Sequence, residues 1–97
     1  MYGVTRSYSG EGGKKLAARL EERKTEIEKI LRGVDGFMTW ALMQTSDGMV
    51  TYTLCKDKKG CDQSVNLARE WVQKNASDIS VGAPKITEGP IKMRFTA

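Results

Sequence analysis

The chain contains no histidine, only two cysteines and two prolines, and few aromatic residues, 7% of its 97 positions. Without histidine it lacks the side chain that exchanges a proton near neutrality. Histidine-based acid/base catalysis, a proximal haem imidazole and histidine-built metal sites are therefore excluded. Two cysteines are too few for a disulfide scaffold and say little about the redox compartment. No apolar run approaches membrane-spanning length, and residues 1–15 carry no apolar stretch behind a basic start, so a soluble cytoplasmic protein is expected. No single charge sign dominates. The formal charge of +4 is spread over 29% charged residues of both signs, which gives no case for a polyanion partner.

What is present is a regular alternation between two periodicities. Tyr2 to Tyr8 reads as a strand, with Tyr2, Val4, Arg6 and Tyr8 on one side and Gly3, Thr5 and Ser7 on the other. Ser9 to Gly13 ends it. From Lys14 to Arg32, Leu16, Leu20, Ile27, Ile30 and Leu31 recur at helical spacing among charged residues, which predicts one amphipathic helix stopped by Gly33. A second helix is expected from Cys61 or Asp62, with Asp62 as its cap, to about Asn75. Its apolar stripe is Val65, Ala68, Val72 and Ala76, widened by Leu67 and Trp71. After a connector over 77–84, Lys85 to Phe95 reads as a last strand, which Pro90 assigns to an edge or a bulge.

Between the helices lies a hairpin, Gly36 to Cys55, hinged at Asp47-Gly48. A two-residue type I′ turn suits that dipeptide and would set Thr45 opposite Val50 and Met43 opposite Tyr52. One surface then carries Phe37, Thr39, Ala41, Met43, Val50, Tyr52 and Leu54, and the other Met38, Trp40, Leu42, Gln44, Thr51, Thr53 and Cys55. Both are apolar, whereas an antiparallel sheet with one wet face alternates cleanly. Helices cover one face only. The expectation is that they cover the hydrocarbon-rich surface, and that the threonine-rich surface bearing Trp40 and Leu42 meets a second subunit, a ligand, or both.

The order strand, helix, strand, strand, helix, strand predicts an α+β domain over residues 1–97. Its plan is ferredoxin-like βαββαβ, with a four-stranded antiparallel sheet and two helices on one face. The segment Gly33-Val34-Asp35-Gly36-Phe37-Met38-Thr39-Trp40-Ala41-Leu42, with Asp47-Gly48 and a strand ending Cys55-Lys56-Asp57, resembles the dimeric α/β-barrel superfamily. That group includes antibiotic-biosynthesis-type monooxygenases, stress-responsive barrel proteins and small bacterial proteins of unassigned function. The resemblance implies that two sheets face each other across a homodimer. For the cofactor-independent monooxygenases it further implies asparagine, tryptophan and arginine or tyrosine lining the barrel. Trp40, Arg6 and Tyr8 match those residue types; Asn66 falls on a helix instead.

Each candidate residue has a bland reading beside the functional one. Trp40 is expected to fill a dimer core before it stacks on a substrate. Arg6 is expected at a rim; if it points inward, its guanidinium needs a carboxylate. Cys55 and Cys61 are read first as buried structural thiols, then as a disulfide, and last as a redox pair. They lack the further ligands a zinc site needs. Gly10, Gly12 and Gly13 before Lys14 fit neither phosphate-loop pattern and read as a strand-to-helix turn. The strand Met49 to Cys55 lacks the basic-glycine-aromatic pattern of RNA-recognition motifs, so no nucleic-acid partner is expected. The cavity expected is therefore lined by Arg6, Tyr8, Trp40, Gln44, Thr51 and Thr53, with no cofactor and no metal. It would serve a homodimeric small-ligand-binding or interaction module, for which an aromatic compound is the candidate ligand. The alternative is a cofactor-independent monooxygenase or isomerase acting on an aromatic or polyketide-like molecule.

Overall fold

A computed structural model describes residues 1–97. Strand β1 (Tyr2–Ser9) leads into helices α1 (Gly10–Glu22) and α2 (Lys24–Arg32), followed by β2 (Phe37–Thr45), β3 (Gly48–Cys55), α3 (Lys58–Asn75) and β4 (Lys85–Pro90). The four strands form one antiparallel sheet in the order β2-β3-β1-β4. This is the ferredoxin-like α+β plan that the element order predicted. β4 is an edge strand, as Pro90 suggested, but it ends at Pro90 rather than running to Phe95. No helix is long and apolar enough to cross a membrane.

The expected single first helix is broken at Arg23, whose backbone leaves helical geometry at φ −107° and ψ 25°. Between Leu20 and Ile27 the chain offers no large apolar residue to hold a straight helix on the sheet. The bend falls in that gap. α3 also starts earlier than predicted. Asp57, not Asp62, caps it by accepting from the Gly60 amide at 3.2 Å, while Asp62 pairs with Lys58 one turn earlier at 2.9 Å.

The assignment of sheet faces reverses the expectation. Val4, Tyr8, Met49 and Cys55 pack under the helices with Leu16, Ala17, Trp71 and Cys61, and Leu42 and Phe37 join the same layer. The Trp40 and Leu42 surface therefore faces the chain's own helices. The surface left uncovered by helices carries Thr39, Ala41, Met43, Val50 and Tyr52, with Thr5 and Ser7 from β1. The reason lies in β1, whose helix-facing set Val4, Arg6 and Tyr8 pairs with Thr53, Thr51 and Met49. Their cross-strand neighbours must share that face.

Two local irregularities refine the hairpin. Thr45 pairs with Gly48, so Ser46 and Asp47 are the turn residues, and no residue other than glycine has positive φ, which rules out the type I′ turn. This register differs from the expected one by two residues, so each side chain keeps its face. Gly48 is needed because a Cβ there would collide with the Tyr8 carbonyl, and the neighbouring Asp47 carbonyl accepts from the Gly10 amide. Near the start of β2 a bulge at Met38 leaves Phe37 opposite Cys55 and Thr39 opposite Leu54. The extra residue turns Phe37 to the helix side, away from the surface assigned to it by strict alternation.

Candidate functional site

α2 has no fully buried residue, and β2 is an edge strand whose helix-facing apolar side chains stay half-buried. The two elements therefore stand apart. Between them and α1 opens a cleft of about 550 Å³, floored by Leu20, Ile27, Leu31, Phe37, Trp40 and Leu42 and rimmed by Glu21, Lys24, Glu28 and Arg32. Behind it, between the helices and the sheet, is a small cavity of about 50 Å³ lined by Arg6, Tyr8, Trp40, Met49, Thr51 and apolar side chains of all three helices. Leu20, Ile27, Leu31 and Trp40 border both spaces and form the partition between them. The outer cleft has the volume usual for a small-molecule site, whereas the inner cavity holds little more than a water or two.

Arg6 and Tyr8 close the inner end. Both lie on the helix-facing side of β1 and are 8% and 5% exposed, so Arg6 points inward and not to a rim. Arg6 Nη2 donates to the Tyr8 hydroxyl, and its guanidinium carbon lies 5.2 Å from the centre of the Tyr8 ring. No carboxylate pairs with it, and its Nε is buried without a partner. Burial accordingly pulls the guanidinium below its ordinary pKa and pushes the Tyr8 phenol above its own. A buried cation whose neighbour is neutral is an uncommon arrangement, because the charge loses its water without gaining an opposite charge.

Of the residues expected to share a site, the fold brings Arg6, Tyr8, Trp40 and Thr51 to one cavity. Thr53 is buried on the same face but lies outside that lining, and Gln44 is exposed near the end of β2. The helical contributors, Ile27, Leu31, Leu67 and Trp71 among them, were legible only as a generic apolar stripe. Trp71 adds a polar contact, since its indole N–H donates to Glu26 at 2.6 Å.

The cysteines lie apart, between the β3 end and the α3 start. Both are free and buried. Burial pushes the Cys55 thiol up, and burial together with Cys55 pushes Cys61 up to about 12, the opposite of a reactive thiolate. The glycines before Lys14 are explained by packing. Gly10 turns the chain at φ 76°, and a Cβ on Gly13 or Gly12 would strike the Tyr8 or Ser80 carbonyl.

No family model and no curated protein matches this sequence. Solved structures do match in fold. A monooxygenase of Streptomyces coelicolor, crystallised in complex with the ligand Nanaomycin D, superposes with a TM-score of 0.72 at 14% identity, covering 99% of this chain and 91% of that one. A protein of unknown function from Nitrosomonas europaea gives 0.69 at 13% identity, covering 99% and 92%. The likeness to antibiotic-biosynthesis-type monooxygenases thus holds at the level of the ferredoxin-like fold.

Proposed function

We propose that this chain is a cytoplasmic, homodimeric small-ligand-binding module that takes a flat apolar or aromatic compound in the cleft between α1, α2 and β2, against Trp40. One observation carries the reading. The cleft is large enough for such a compound, its floor is apolar and includes an indole, and charges are confined to its rim. Reaching Arg6 and Tyr8 from there requires the Leu20, Ile27, Leu31 and Trp40 partition to move, and α2, with no fully buried residue, is the element able to do so. Association is assigned to the helix-free sheet face, where Met43 is 61% exposed, with Met93 and Phe95 projecting beyond β4 at 76% and 90%.

Trp40 fluorescence tests the ligand site in a Trp71→Phe background, titrated with neutral aromatic compounds including Nanaomycin D. Saturable quenching is expected. If no member of the panel quenches, Trp40 is a packing residue only.

A cofactor-independent monooxygenase or isomerase is the second reading, favoured by the Streptomyces coelicolor neighbour and by Arg6 and Tyr8 at the inner end. In that reading the guanidinium and the phenol stabilise charge on a substrate oxygen. Oxygen uptake with phenolic substrates, lost in Arg6→Met, distinguishes it from simple binding.

A further inference from the structure

Arg6 and Tyr8 have a second approach. On the other side of the pair, α3, β1 and residues 81–86 enclose a separate cleft of about 370 Å³. Its polar groups are Arg6, Tyr8, Arg69 and Gln73; the remaining wall is apolar, with Val65, Val81, Pro84 and Ile86. No acidic side chain lines it, and neither guanidinium belongs to an ion pair. Two cations thus border one mostly apolar space while one of them keeps a buried, unpartnered Nε. We propose that this cleft binds a small monocarboxylate, its carboxylate lying between Arg6 and Arg69 and its short apolar tail against Val65, Val81 and Pro84.

A guanidinium presents its donors as a planar fork that matches a carboxylate, and here the part of the fork not used by Tyr8 has no acceptor. Arg69 adds a smaller effect in the same direction as the burial that depresses Arg6, and an anion standing between the two would offset both. The rest of the wall is largely hydrocarbon, which costs a strongly hydrated dianion such as phosphate more to bury than a monoanion with an apolar tail. This site is distinct from the Trp40 cleft, and Arg6, Tyr8 and Val72 form the wall between it and the inner cavity.

The Nε–H signals of Arg6 and Arg69 in 1H–15N spectra read the site directly. Acetate, butyrate, benzoate and inorganic phosphate are each titrated at constant ionic strength. Butyrate and benzoate should shift both signals saturably and more tightly than acetate. Arg69→Gln, an exposed position that leaves the core untouched, should weaken binding by roughly tenfold, the loss of about one charge-assisted hydrogen bond. Arg6→Met should abolish it.

Four results overturn the proposal: no saturable shift of Arg6, a response confined to Arg69, affinity unchanged in Arg69→Gln, or phosphate binding more tightly than the carboxylates. Quenching of Trp40 by neutral aromatics is read separately, so failure here leaves the cleft at Trp40 standing, and the converse also holds.

Discussion

Trp71 Nε1 donates to Glu26 Oε2 at 2.6 Å and so ties α3 to α2 across the roof of the inner cavity. Beside it, α2 is held by Ile27 and Ile30, which pack half-buried against the core. None of its residues is fully buried, and its polar partner Arg23 at 3.1 Å belongs to the same bend.

A pH dependence follows from this tie. The Trp71 N–H, and then Arg23, hold the Glu26 carboxyl below its ordinary value near 4.5, and Arg19 holds Asp78 below 3.8. A carboxyl depressed in the folded state stabilises the fold above its ordinary pKa and loses that contribution as pH falls through the depressed value. Thermal melts should therefore show falling stability from about pH 4.5 downward. Glu26→Gln should lower the neutral-pH melting point slightly and flatten the acid limb. An unchanged limb in that variant would assign the acid sensitivity elsewhere.

The uncompensated guanidinium of Arg6 predicts a trade-off between stability and binding. Replacing both polar partners, Arg6→Met with Tyr8→Phe, removes a desolvated charge and leaves no orphaned phenol. The double variant should gain about 1–3 kcal/mol in urea denaturation while losing carboxylate binding. A loss of stability would mean that the pair is structural.

Both thiols should be inert in the folded protein. Cys55 and Cys61 are buried and raised, and the Cys61 thiol donates to the Tyr2 carbonyl at 3.2 Å. A chromogenic disulfide reagent should leave both untouched at pH 8 and label both after denaturation. Replacing both with serine should keep fold and assembly at a cost of roughly 1–3 kcal/mol. Fast native-state labelling would reinstate a reactive role.

Association is predicted at the helix-free sheet face. Met43→Asp should shift the protein toward monomer in light scattering at micromolar concentration and lower its melting point only by the part that association supplies, leaving the monomer fold intact. Trp40→Asp should destabilise the fold itself, because that side chain lies under the helices. Equal loss of assembly in both variants would contradict this assignment.

The alternation of periods two and 3.6 was enough to establish the order of strands and helices and the ferredoxin-like plan, and Pro90 marked the last strand for an edge or a bulge. These are local properties, set by which residues recur at strand or helix spacing, and the sequence displays them directly. Which face of the hairpin meets the helices is not local. Period two defines two surfaces without ranking them, and the ranking came from β1, whose Val4, Arg6 and Tyr8 pair across to Thr53, Thr51 and Met49. The bulge at Met38 and the bend at Arg23 likewise sit on no glycine or proline, and the bend falls where the apolar stripe lapses between Leu20 and Ile27. Arg6 shows the same division most sharply. Its place on one side of the first strand was legible from alternation, but its burial, its Tyr8 partner and its missing carboxylate exist only once three helices and four strands close around it.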